Sequence, residues 1–292
     1  MNKVNIMIRL ITIIILIIGT TVINAQNNPK QYPNLKAVLI VGYQEDNTSS
    51  AIKNMDAIAV MFMKYGIKVS KFYNKKAKWE DIKVVAKDAD FFVYSGHGTN
   101  LGKDRRPGGL VLTEGVSTDK MLKELSFTKN PLILFQSVCY GAGSSAGDEK
   151  DIGIKEAEKR VTDYATPFFE MGASVYFANN TVGACAEFVD NFMQGKSVEM
   201  CYGISTDTAT FNNKNVTYSS KTVIKIEIDK EFKNDSTKKI GICSSYHDVM
   251  ATCISYVNGK KTVKEVPSIK SYDVAYIAKP GFTLKDMVKV KR

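Results

Sequence analysis

His97 and Cys139 are the side chains of this chain best placed for chemistry. Each follows an apolar run that breaks into a glycine turn: Phe91-Phe92-Val93-Tyr94-Ser95-Gly96-His97-Gly98, and Leu132-Ile133-Leu134-Phe135-Gln136-Ser137-Val138-Cys139-Tyr140-Gly141. A thiolate is the reactive form of cysteine. An imidazole beside it raises the thiolate fraction and later protonates the leaving group. Acyl transfer also needs donors for the oxyanion, and backbone N–H groups in a glycine turn supply them without side-chain bulk. The chain has only 2 histidines, so His97 has one rival, His247. His247, beside Asp248, reads as part of a surface turn. A histidine after a strand is commonly structural, and a buried cysteine commonly inert packing. The matched strand-end placement of the two sets this pair apart and points to Cys–His nucleophilic catalysis.

The elements that must position the pair alternate between strand and helix. Lys36 to Gly42 is a continuous apolar run, as a buried parallel strand requires. Ser49 or Ser50 caps a helix to about Tyr65, with Ile52, Met55, Ile58, Ala59 and Phe62 on one face. Ile67–Tyr73 reads as the second strand and Trp79–Lys87 as a short amphipathic helix. The third strand, Phe91–Ser95, leads to His97. Gly98–Gly109 reads as loop, followed by a short extended run at Leu110–Thr113. Ser117 caps a helix to about Leu125. The fourth strand, Pro131–Val138, leads to Cys139. Lys155–Met171 is helical, Ala173–Ala178 is the fifth strand, and Ala184–Met200 is helical again. This alternation predicts an α/β fold with a mostly parallel central sheet and helices on both faces. Ligands gather at the carboxyl ends of such strands. The pattern changes after about Ser205. Val216–Ile228 and Ile240–Val257 alternate like hairpin strands around a charged stretch, Asp229–Lys239. Val274–Ile277 reads as an edge strand. Residues 206–292 are thus a β-rich segment expected to complete the domain begun by residues 34–205.

Residues 1–25 read as a targeting segment. Lys3 and Arg9 give a basic start, Leu10–Ile18 an apolar run, and Ala25 a small residue before a cut at Gln26. The run is shorter than the ~18 residues that call a transmembrane helix. The expectation is therefore an exported, periplasmic or secreted protein without stable membrane insertion; an uncleaved anchor is the rival. The chain is 44% hydrophobic and 24% charged, ordinary for a globular protein. Its net charge of +10 comes from scattered lysines. There is no basic run interleaved with aromatics, so nucleic acid is not the expected partner. The cysteines are Cys139, Cys185, Cys201, Cys243 and Cys253. An odd number in an exported chain flags one reactive thiol, and Cys139 is the natural candidate. No C-x-x-C occurs, so neither a zinc ribbon nor a thioredoxin-type motif is expected.

The two strand-to-turn motifs, taken together, resemble the caspase-like (clan CD) cysteine peptidases. The pattern is closest to the clostripain and gingipain group and to the related CHAT domains. The shared pattern is an apolar strand into His-Gly, then a second apolar strand into the catalytic cysteine. The spacing from His97 to Cys139 is near the ~50 residues of the caspase arrangement. Phe168-Phe169-Glu170-Met171-Gly172-Ala173-Ser174-Val175 resembles the helix, Gly-Ala and strand that follow that cysteine. Phe192-Met193-Gln194-Gly195-Lys196-Ser197-Val198 resembles the next helix. The similarity spans roughly residues 35–205. It implies a caspase-like three-layer sandwich and an endopeptidase acting on protein or peptide substrates without a cofactor. In it His97 is the general base or acid and Cys139 the nucleophile, with the N–H groups of Gly98 and Cys139 as the oxyanion hole. Clostripain-like members hold a basic P1 side chain with an acid two residues before the cysteine. Ser137 stands there in this chain. Asp148 or Asp151, in the loop after Cys139, can take that role and gives a lean to basic P1 residues. Asp148, Glu149 and Asp151 also suit calcium or a solvated loop.

Two other classes fit the same residues. One is a catalytically inactive or non-peptidase binding module that keeps the fold, as in CHAT-type proteins. The other is a nucleotide-binding α/β domain, suggested by Gly141-Ala142-Gly143-Ser144-Ser145-Ala146-Gly147. That loop follows the fourth strand rather than the first, which counts against a dinucleotide fingerprint.

Overall fold

The computed structural model describes residues 29–101, 106–180, 184–207, 216–217, 222–247, 251–257, 260–266 and 270–289. The targeting segment expected over residues 1–25 lies outside them. The strands are β1 (Lys36–Val41), β2 (Lys68–Tyr73), β3 (Phe91–Ser95), β4 (Thr99–Leu101), β5 (Arg106–Gly108), β6 (Val111–Leu112), β7 (Gly115–Val116), β8 (Leu132–Gln136), β9 (Val175–Asn179), β10 (Val216–Thr217), β11 (Thr222–Phe232), β12 (Asp235–His247), β13 (Ala251–Val257), β14 (Lys260–Val266) and β15 (Ser271–Ala278). The helices are α1 (Thr48–Lys64), α2 (Trp79–Ala86), α3 (Asp119–Leu122), α4 (Ile154–Glu170), α5 (Ala184–Met193), α6 (Val198–Asp207) and α7 (Leu284–Lys289).

One large sheet organises the fold, in the order β11-β12-β15-β9-β8-β3-β1-β2. From β2 to β9 the neighbouring strands run parallel. β15, β12 and β11 then add antiparallel pairings. The order β2-β1-β3-β8-β9 is a doubly wound one that reverses direction between β1 and β3. The parallel strands are apolar at successive positions because helices cover both faces. On one face Phe92, Tyr94, Ile133 and Phe135 pack with Trp79 and Ile82 of α2 and with Val161, Tyr164 and Phe168 of α4. On the other, Phe91, Val93, Leu132 and Leu134 pack with α1 (Met55, Ile58, Phe62), α5 (Phe188, Val189, Phe192), α6 and α7. Phe135 sits at the centre of an edge-on aromatic cluster. Its ring lies 5.3–5.7 Å from those of Tyr94, Tyr164, Phe168 and Tyr176. Aromatic pairs at such distances and angles are favourable beyond their buried area. The cluster fixes the ends of β3 and β8 against each other.

Several elements differ from the sequence expectations. Val274–Ile277 is not an edge strand: β15 lies inside the sheet, paired with β9 through Val274↔Asn179 and with β12 through Ile277↔Ile240. Within the C-terminal segment β11, β12 and β15 are therefore built into the same sheet as the N-terminal strands, whereas β10, β13 and β14 form a separate three-stranded sheet. The charged stretch Asp229–Lys239 is mostly strand, and only Lys233-Asn234 turns. The Gly98–Gly109 stretch contains the β4–β5 hairpin, with Thr99 opposite Gly108. The helix expected over Ala184–Met200 is two helices. The break falls at Gly195, whose φ of 90° is the left-handed conformation that ends a helix. His247 closes β12 rather than sitting in a turn.

Candidate active site

β3 and β8 are parallel neighbours in register, with Tyr94 opposite Phe135. Both loops therefore leave the sheet at the same carboxyl end. Tyr94, fully buried, anchors the His97 turn from beneath. Its hydroxyl accepts the Val111 N–H at 2.9 Å, and its single proton reaches the His97 carbonyl or the Val111 carbonyl, each at 3.1 Å. Burial pushes this hydroxyl well above its ordinary pKa, so it stays a donor at all physiological pH. His97 itself is exposed.

The β8 loop is strained and tied down. Ser137 and Tyr140, on either side of Val138-Cys139, have φ of 56° and 69°. Such left-handed conformations in non-glycine residues cost about 1–3 kcal/mol each and persist where surrounding contacts over-determine them. The Ser137 N–H donates to the Asn179 carbonyl at 2.7 Å, which continues the β8–β9 pairing by one step. Tyr140 N–H donates to Ser144 O at 2.8 Å, and Gly141 N–H to Val138 O at 3.0 Å. The buried Tyr176 hydroxyl donates to Gly141 O at 2.8 Å. The result is a tight turn that lifts Cys139 off the strand end, half-exposed, with Val138 buried beneath it.

The two loops touch at Gly98. A Cβ on Gly98 would lie 1.9 Å from the Cys139 carbonyl oxygen, 2.7 Å from its carbonyl carbon and 3.1 Å from its Cα. Backbone packs on backbone there, and only glycine allows it. A second link is Asn100 of β4, whose Nδ2 donates to the Tyr140 hydroxyl at 3.4 Å. The structure thus brings the residue after His97 directly against Cys139.

The three residues expected to line the substrate site fall in the same region but are differently engaged. Ser137 accepts from Gln136 Nε2 at 3.0 Å. Asp148 is ion-paired with Arg160 of α4, whose Nη1 lies 3.0 and 2.8 Å from its two oxygens, and it also accepts the Ser145 N–H at 2.7 Å. A substrate cation at Asp148 would have to displace Arg160. Asp151 accepts the Gly153 N–H at 2.8 Å and the Tyr272 hydroxyl at 3.3 Å. Sequence reasoning missed Tyr94, Tyr140, Arg160 and Tyr272. Tyr272, from β15, clamps the loop after Cys139: Ser144 N–H donates to Tyr272 O at 3.1 Å, and Tyr272 N–H to Ser144 Oγ at 2.7 Å. Among the described residues no group of three or more His, Cys, Asp or Glu side chains gathers to hold a metal, and no helix is long and apolar enough to cross a membrane.

The thiols differ sharply in access. Cys185 and Cys201 are fully buried and Cys243 is 1% exposed. Burial pushes the Cys185 thiol far up, and the Cys201 thiol up to about 12. Brief treatment with iodoacetamide at neutral pH is therefore expected to alkylate Cys139 ahead of these three. Peptide mapping by mass spectrometry checks this; earlier modification of Cys185 or Cys201 would contradict it.

No family model matches the chain, and no curated protein matches it.

Proposed function

We propose that the chain is an exported cysteine endopeptidase of caspase-like architecture, hydrolysing peptide bonds through a Cys139–His97 dyad. The observation that carries this reading is the contact of Gly98 with the Cys139 backbone, at the carboxyl ends of two adjacent parallel strands. Cys139 Sγ, as thiolate, attacks the substrate carbonyl carbon. The carbonyl electrons move to oxygen, and the N–H groups of Gly98 and Cys139 stabilise the oxyanion. His97 then donates a proton to the leaving amine, the C–N bond breaks, and a thioester remains on Cys139. Water, deprotonated by His97, attacks the thioester and releases the acid and the thiolate.

The direct test is a peptide-library cleavage assay on the purified mature protein. P1 residues Arg, Lys, Asp, Asn and Ala are compared, with Cys139→Ala as the control. Cleavage that depends on Cys139 supports the reading, and equal cleavage by Cys139→Ala contradicts it. The lean to basic P1 residues rests on Asp151 more than on Asp148, because Arg160 already neutralises Asp148. Asp151→Ala is therefore expected to erode any Arg or Lys preference, and an unchanged preference would remove Asp151 from the pocket. Export predicts a mature N-terminus near Gln26. N-terminal sequencing of native protein that begins at Met1 would contradict it.

A further inference from the structure

Arg160 projects from α4 onto the loop that follows Cys139. Its side chain is 13% exposed and that of Asp148 14%. Nη1 donates to Asp148 Oδ1 and Oδ2 at 3.0 and 2.8 Å and to the Gly143 carbonyl at 3.2 Å. Nε donates to Glu156 Oε1 at 3.0 Å, one turn back on the same helix. The guanidinium carbon lies 5.0 Å from the centre of the Tyr140 ring. One side chain therefore meets the loop at three points: the residue directly after the nucleophile, the Gly143 carbonyl and the Asp148 carboxylate. The Tyr140 hydroxyl also accepts from Asn100 Nδ2, on the hairpin that follows His97.

We propose that Arg160 is a positioning residue for the nucleophile. Lying over the Tyr140 ring, it keeps that residue in its left-handed conformation and so sets the direction in which Cys139 Sγ points. The proposal rests on the reading of Cys139 as the nucleophile. The planar fork is essential to it. A guanidinium can stack on a ring while its edge donates to a carboxylate and a carbonyl, whereas a lysine ammonium is a point charge without a face. An exposed ion pair would act on stability alone, and only weakly. This one is largely buried and is joined to the chain that carries the reactive residue.

The experiment compares wild type, Arg160→Lys, Arg160→Gln and Tyr140→Leu in the mature protein. It measures kcat and KM on the best library peptide, the pH profile of Cys139 alkylation by iodoacetamide, and thermal melting. Misplacing a reacting group by about an ångström costs on the order of 100-fold. Arg160→Gln is therefore expected to lower kcat by about 10- to 100-fold, with KM changed less than about 3-fold, and to shift the alkylation profile. Arg160→Lys should recover only a small part of the loss. Tyr140→Leu, which leaves both carboxylate pairings intact, should lower kcat similarly; it decides the matter if Arg160→Gln fails to fold. Lower melting temperatures with wild-type kcat and an unchanged alkylation profile would overturn the proposal, as would full recovery in Arg160→Lys. If the wild type cleaves no peptide, the peptidase reading fails. The alkylation profile still decides whether Arg160 orients Cys139.

Discussion

Cys139→Ala and His97→Ala are each expected to lower kcat for peptide cleavage by about 10⁴-fold or more, and the double substitution by no more than the worse single one. Groups that act as one catalytic unit behave this way, because losing either partner leaves only binding and the oxyanion donors. The protein should survive both changes. Cys139 is half-exposed on a turn, His97 is exposed, and neither belongs to the aromatic core beneath them. Melting temperatures within a few degrees of wild type would separate lost chemistry from lost structure. Additive losses in the double substitution would show that the two side chains act independently.

Gly98→Ala is expected to lower turnover by about 100-fold although it adds one methyl group. The new Cβ would meet the Cys139 carbonyl oxygen at 1.9 Å and the carbonyl carbon at 2.7 Å. These are backbone atoms, so no rotamer change relieves the clash. The two loops must part by about an ångström or more, a displacement that costs catalysis on the order of 100-fold. Overpacking at a fixed site also destabilises, by about 1–3 kcal/mol. Gly147→Ala is the control, since the nearest atom to its Cβ would be Ser145 Oγ at 3.8 Å. It should change stability by less than about 0.5 kcal/mol and leave turnover intact. Steady-state kinetics and denaturant melts on the two alanine variants check this. Wild-type turnover in Gly98→Ala would mean that the His97 and Cys139 loops need not touch for function.

The strand ends that carry the candidate site were legible because β3 and β8 are buried on both faces. Such strands read as unbroken apolar runs, and Phe91–Ser95 and Leu132–Gln136 stop where the chain turns polar and glycine-rich. The contact between the turns was not legible. It depends on the β3–β8 register and on two left-handed residues, Ser137 and Tyr140, that no local rule selects. The interior place of β15 was hidden for a similar reason. A short apolar run such as Val274-Ala275-Tyr276-Ile277 suits an edge or a centre, and only pairing with both β9 and β12 decides. The β4–β5 hairpin was masked by Pro107, Gly108 and Gly109, which read as loop. Arg160 was legible only as a polar position on an amphipathic helix. Its partners Tyr140, Gly143 and Asp148 lie in a loop that the fold, not the sequence spacing, brings beneath it.

An acyl-accepting Cys139 activated by His97 should react selectively with electrophiles aimed at activated thiolates. The mature protein is treated with a peptidyl acyloxymethyl ketone, which alkylates activated thiolates, and the adduct is located by mass spectrometry. One adduct is expected, on Cys139, formed at least about 100-fold more slowly in His97→Ala. An adduct on another residue, or an equal rate on Cys139 in His97→Ala, would contradict the dyad.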